Sequence, residues 1–180
     1  EISIETKLES ETAIMADPIQ IHQVMVNLCT NAIHAIGNNH GIITIEIDDI
    51  IIDRLFAENH PGCYPGKHVI ISISDSGCGI QPEILDHIFD PFFTTKTNGK
   101  GTGLGLSVAH GIIHSIGGII TVYSEPDKGT AFNIIIPAAA NALNESESNE
   151  NALLPGIERI MLVDDEHAIV KSLSSILRSA

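Results

Sequence analysis

The sequence predicts an α/β domain in which amphipathic helices pack on a sheet. Three observations carry that prediction. Five segments, at 2–8, 42–52, 68–74, 119–124 and 130–137, are rich in β-branched residues with strand-like patterning. Two others, 17–36 and the stretch from the glycines at 101–105 to Ile116, place apolar residues at helical spacing. Turn chemistry separates the strands, as in His60-Pro61-Gly62 with Pro65-Gly66 and in Glu125-Pro126-Asp127-Lys128-Gly129.

In chain order, Ile2, Ile4, Thr6 and Leu8 alternate with Ser3, Glu5, Lys7 and Glu9, a strand with one wet face. Residues 13–16 are compatible with a second short strand. Asp17-Pro18 then signals a helix start, with Asp as N-cap and Pro in the first turn. Along this helix Ile21, Val24, Met25, Leu28, Ala32, Ala35 and Ile36 form an apolar stripe, and Gln23, Asn27, Asn31 and His34 fall nearly opposite. Asn27 and Asn31 point the same way, one turn apart. They make either a solvated polar face or a pair of oxygens aimed at a metal–phosphate complex.

Residues 42–52 read as a long strand, and 53–67 as a hairpin-like loop joining antiparallel strands. In 68–74, Val69, Ile71 and Ile73 share one face and Ile70 lies on the other. That strand delivers Asp75 into the turn D-S-G-C-G-I, where its carboxylate either accepts from an exocyclic amine or bonds its own backbone. A short helix is expected at 82–89. Phe89, Phe92 and Phe93 follow in a Pro- and Thr-containing loop, which suits a hinge or docking patch more than a core strand. The run at 94–99 leads into Gly101, Gly103 and Gly105, which alternate with Thr102, Leu104 and Leu106. Glycines opening a helix gather free amides and the positive end of the helix dipole at one point, which suits phosphate. In the helix, Leu104, Val108, Ile112 and Ala109, Ile113, Ile116 recur at helical spacing, and Gly117-Gly118 ends it. The segment between the glycine clusters has the makings of a lid.

Composition narrows the partners. The formal net charge is −14, which argues against nucleic acid. Three cysteines in no C-x-x-C pair read as reduced thiols, and no apolar run is long enough to span a membrane. The expectation is a cytoplasmic segment without signal peptide, transmembrane helix or direct membrane contact. His110 and His114, four apart, lack a third ligand and read as ordinary helix residues. Beyond residue 137 the character changes. Residues 138–156 read as an acidic flexible linker, and 157–180 begin with an apolar strand ending in Asp164 and Asp165, followed by a helical pattern. Such an acidic pair either builds a Mg²⁺ site or caps the helix.

Taken together, residues 1–137 resemble the ATP-binding catalytic domain of two-component sensor histidine kinases. N-L-C-T-N-A at 27–32 is similar to that family's asparagine box, D-S-G-C-G at 75–79 to its first glycine box, F-D-P-F-F at 89–93 to its phenylalanine box, and G-K-G-T-G-L-G-L at 99–106 to its second glycine box. The resemblance implies a two-layer α/β sandwich, with a mixed, largely antiparallel sheet and helices on one face. It implies ATP and Mg²⁺ as ligands. Asn31 would hold Mg²⁺, with Asn27 beside it and His34 where the family places a phosphate-contacting group. Asp75 would read the adenine amine. Gly77 and Gly79, followed by Ile80, would let the base approach, and Thr130 would lie near it. Gly101, Thr102, Gly103, Leu104, Gly105 and Leu106 would line the phosphates, with Lys96 and Lys100 on the lid. M-L-V-D-D-E at 161–166 resembles the opening of a response-regulator receiver domain, whose Asp164 and Asp165 would bind Mg²⁺ if the domain were completed.

The implied activity is transfer of the ATP γ-phosphoryl group to a histidine on a separate dimerisation and phosphotransfer domain, within a phosphorelay that includes a receiver. An acceptor segment of that kind is not found in these residues. The related hydrolases carry a Glu one turn before the metal-binding Asn, where this chain has Asn27. A kinase is therefore preferred to a gyrase-type ATPase. A non-catalytic nucleotide-binding or docking module is the third reading.

Overall fold

The computed structural model describes residues 1–60, 62–95 and 102–139. Five strands and three α-helices follow one another as β1 (Ile2–Leu8), α1 (Pro18–Ile36), β2 (Gly41–Ile52), α2 (Arg54–Asn59), β3 (Gly66–Asp75), a 3₁₀ turn at Pro82–His87, α3 (Gly105–Ser115), β4 (Ile119–Glu125) and β5 (Gly129–Pro137). The strands form one mixed sheet in the order β1-β2-β3-β5-β4. Only β1 and β2 run parallel, which requires a crossover, and α1 is that crossover. The remaining pairs are antiparallel.

The main core lies between the sheet and α1 with α3. Val24, Leu28, Ala32 and Ile36 of α1 and Ala109 and Ile113 of α3 meet Ile43, Val69, Ile71, Ile73, Phe132, Ile134 and Ile136. The alternation read from 68–74 and 130–137 is thus the pleat of two central strands. Asp17 caps α1 as expected, accepting the Ile19 amide at 2.8 Å, with Pro18 in the first turn. Asp17→Ala is expected to cost about 1 kcal/mol, read as a lowered urea midpoint with unchanged slope.

Three differences from the expected arrangement have physical causes. Residues 53–67 contain α2, capped by Asp53 through the Phe56 amide at 2.7 Å. Its Phe56 and Ala57 pack with Cys63, Ile52 and Ile135 in a second small core. Ile135 alternates with the core-facing Ile134 and Ile136, so this cluster lies on the opposite face of the sheet, and α2 covers that face. A continuous apolar run such as Ile134-Ile135-Ile136 is explained by burial on both sides. Secondly, β1 has little dry face: Ile2 packs on the core, but Ile4 and Leu8 are 63% and 65% exposed, because β1 is an edge strand. Thirdly, residues 13–16 contribute a single bridge, Ile14 to Ala138, and the Ala139 amide bonds Ala13. The first two residues of the expected linker are therefore tied to the sheet. The rest of 138–156, and the receiver-like 157–180, lie outside the described residues.

The connection from β1 to α1 is pinned by Asp49, which accepts from Ser10 and from Thr12 at 2.6 Å and pairs with Lys67 at 2.7 Å. The Lys67 contact, with the two hydroxyls, holds its carboxyl down at about 2.

Candidate nucleotide-binding site

The expected site residues come from α1, the end of β3, the loop after it, the start of α3 and the start of β5. Asn27 and Asn31 are half-buried, and His34 is exposed. The two carboxamides therefore flank the packed stripe instead of standing opposite it. Asn27 Nδ2 donates to the Gly105 carbonyl at 3.1 Å. Its donor end ties α1 to the first residue of α3, a strut that the sequence did not signal.

The start of α3 is chemically distinctive. Its N-cap position is Leu104, 37% exposed, and no side chain caps the helix. No acidic residue lies in its first turn. Thr102 Oγ1 accepts the Leu104 amide at 3.4 Å, outside the helix, and the Ser107 hydroxyl donates back to the Leu104 carbonyl at 3.0 Å. A helix start leaves amides without intrahelical partners and carries positive partial charge. Here those amides sit beside the Asn27 strut. The Phe92 amide bonds the Gly103 carbonyl at 2.9 Å, joining the aromatic loop to this turn. Phe92 itself is 74% exposed with a positive φ of 67°, while Phe89 and Phe93 pack on the core edge and Phe89 lies against His110. The glycine-rich turn also places Leu106 against the core. Lys96, Lys100 and Gly101, like Asp164 and Asp165, fall outside the described residues.

Asp75 and Thr130 stand opposite each other in register on β3 and β5. Asp75 is in phase with the core-facing Val69, Ile71 and Ile73, and Thr130 with Phe132, Ile134 and Ile136, so both lie on the helix side of the sheet. Asp75 Oδ1 accepts the Gly77 amide at 2.8 Å, so the turn bond considered for it is formed. Burial pushes its carboxyl above the ordinary carboxylate range, and the Gly77 and Thr130 amides pull the other way. A partly desolvated carboxylate at a strand end, held by backbone amides, is suited to receive a donor from a ligand.

Gly77 is glycine because of close approach. A Cβ there would lie 2.6 Å from the Ala35 carbonyl carbon in the last turn of α1. Gly79, at φ 68°, packs on the Glu125 carbonyl of the β4–β5 turn. The space expected for an approaching base is thus also needed by the protein's own backbone. Ile80, packed against the core, donates its amide to the Ser124 hydroxyl at 2.8 Å. Ser124 carries no motif and was not singled out in the sequence. Its spacing two residues before the β4–β5 turn was the only available signal.

Comparisons with known proteins bear on the family and the fold. Residues 16–140 match the family described as histidine kinase-, DNA gyrase B-, and HSP90-like ATPase. The chain is 38% identical over 165 residues to the sensor kinase CckA of Brucella abortus, covering 87% of this chain and 17% of that protein. It is 44% identical over 135 residues to the sensor histidine kinase ZraS of Salmonella typhi, covering 75% of this chain and 25% of that one. Among solved structures, a nucleotide-free catalytic domain of histidine kinase ThkA superposes with a TM-score of 0.60 at 36% identity, over 76% of this chain and 79% of that one. Full-length ShkA in complex with AMPPNP superposes with a TM-score of 0.57 at 27% identity, over 77% of this chain and 26% of that one. The chain thus spans between a sixth and a quarter of the length of these curated relatives.

Proposed function

This chain belongs to the histidine kinase-, DNA gyrase B-, and HSP90-like ATPase family, and from that membership we propose that it binds ATP with Mg²⁺ and delivers the γ-phosphoryl group to a histidine on a separate helical domain. The observation that carries the reading is the uncapped start of α3, tied by Asn27 to the helix that bears Asn31. The free first-turn amides receive phosphate oxygens. The Asn31 carboxamide oxygen would hold Mg²⁺, which would supply the positive charge that a chain of net charge −14 lacks. Asp75 takes the amine of the base, with Thr130 beside it. His34, Lys96 and Lys100 contribute donors around the phosphates. Phosphoryl transfer needs positioning and charge neutralisation more than a protein base, and the carboxamide at Asn27 is unsuited to activating water, which favours a kinase over a hydrolase.

The wider assembly is read the same way. The acceptor is a dimerisation and phosphotransfer domain. Residues 157–180, with Asp164 and Asp165, are the opening of a receiver domain, which makes the parent a hybrid kinase. The M-L-V-D-D-E segment supports this, as does an alignment to CckA that covers more of the chain than residues 1–137. Among the described residues, no helix is long and apolar enough to cross a membrane.

The test is titration with ATP, with and without Mg²⁺, for wild type and Asp75→Asn. Binding is expected to require Mg²⁺ and to weaken at least about tenfold in the variant, the scale of a lost charge-assisted hydrogen bond. A folded wild type that binds no ATP would sink the reading. Acidification gives a further signature. With its pKa raised, Asp75 loses its charge at a higher pH than an ordinary Asp, so ATP affinity falls early as pH drops, and this component vanishes in Asp75→Asn. The sign for stability is opposite. The folded state binds this proton more tightly than the unfolded state, so Asp75 itself makes the empty domain more stable as pH falls through its folded pKa.

A further inference from the structure

The Ser124 hydroxyl sits behind the base-reading pair and its hydrogen-bonding capacity is full. It accepts the Ile80 amide at 2.8 Å, contacts the Gly129 carbonyl at 3.0 Å and contacts the Thr130 hydroxyl at 2.9 Å. A serine hydroxyl has one proton to give and two lone pairs to receive with. A carbonyl oxygen only accepts, so the Ser124 proton goes to Gly129. The hydrogen bond between the two hydroxyls must then run from Thr130 to Ser124. Thr130 is 6% exposed, and its single hydroxyl proton is spent inward. What remains on Thr130 Oγ1 is acceptor capacity, on the same face of the sheet as the Asp75 carboxylate and directly opposite it in register.

We propose that Ser124 is a positioning residue for base selection: by taking the Thr130 hydroxyl proton it leaves Thr130 and Asp75 as paired acceptors, so that the site admits a base carrying an exocyclic amine and disfavours one carrying a carbonyl there. This rests on the nucleotide reading above. A carbonyl placed against two acceptors leaves lone pairs facing lone pairs with no proton between them, whereas an amine satisfies the acceptors directly or through a water. With Ser124 removed, the Thr130 hydroxyl is free to rotate and donate, and the polarity of the site is no longer set.

The experiment measures binding of ATP and of ITP, which carries a carbonyl in place of the amine, by the 180-residue chain with Mg²⁺. Wild type is expected to prefer ATP. Ser124→Ala is expected to narrow the ATP-to-ITP preference about tenfold, the worth of one hydrogen bond, mainly by strengthening ITP, whose carbonyl can then accept from Thr130. Ser124→Thr keeps the hydroxyl and is expected to keep the preference. A folded Ser124→Ala that loses both nucleotides equally, or keeps the wild-type ratio, overturns the proposal, since a purely structural tether to Ile80 would not act on the ratio. If thermal melting shows that Ser124→Ala does not fold, Ser124→Cys takes its place, a near-isostere with weak hydrogen-bonding power: a narrowed ratio supports the proposal and an unchanged one overturns it. Wild type that binds neither nucleotide refutes the underlying nucleotide reading as well. Wild type that binds ATP while the variants keep its ratio refutes the selection role alone.

Discussion

Asn31→Ala is expected to lower phosphoryl transfer to a supplied helical acceptor domain by about 100-fold or more while leaving the fold in place. Asn31 is half-buried on the flank of α1, and the buried residues of that helix are Val24, Leu28, Ala32 and Ile36. Alanine is also the better helix former, by a few tenths of a kcal/mol. The truncation therefore leaves the packed stripe of α1 intact, whereas on the proposed reading the metal–phosphate complex would lose an oxygen ligand that counts most as charge develops. Single-turnover rates and thermal melting separate the two effects. A rate within about threefold of wild type, with an unchanged melt, removes Asn31 from the metal site. Asn27→Ala behaves differently. It breaks the bond to the Gly105 carbonyl that joins α1 to α3, so melting temperature and rate fall together.

Gly77→Ala is expected to destabilise the domain by about 3 kcal/mol, at the upper end of ordinary overpacking. The added methyl would stand 2.6 Å from the Ala35 carbonyl carbon, 2.7 Å from its Cβ and 2.8 Å from its oxygen. Most of these atoms are helix backbone, and the Cys78 amide bonds the same Ala35 carbonyl at 3.1 Å, so neither partner can retreat without breaking that bond. A melting-temperature loss of roughly 10 °C follows for a domain of this size. Gly111→Ala is the matched control. It lies in α3 with nothing within 4 Å of an added Cβ, and it is expected to gain up to about 1 kcal/mol from helix propensity. Equal effects at the two glycines would refute the close-approach account of Gly77.

The principal strands and the two long helices were legible because their signals are local. Asp17-Pro18 marks a helix start, alternation in 68–74 and 130–137 marks two central strands, and the stripe from Val24 to Ile36 marks the buried face of α1. The asparagine, glycine and phenylalanine motifs were legible as chemistry, because few residue types offer a neutral oxygen, a bare amide or a carboxylate at such spacing. α2 was missed because six residues are too few for helical periodicity to show. The exposure of β1 was missed because alternation does not reveal that a strand will lie at the edge.

The remaining features depend on residues far apart in the chain. The parallel pairing of β1 with β2, the Asn27 strut to Gly105, the contact of Gly77 with Ala35 and the commitment of the Thr130 proton to Ser124 are each made across the fold. A hydroxyl that gives or a hydroxyl that receives is the same letter in a sequence. Which one it becomes is set by the carbonyl that folding brings beside it. Periodicity and caps are short-range properties of the chain and were written in it. Register, close approach and hydrogen-bond polarity are relations between surfaces, and they came into being only when the sheet and its helices closed on one another.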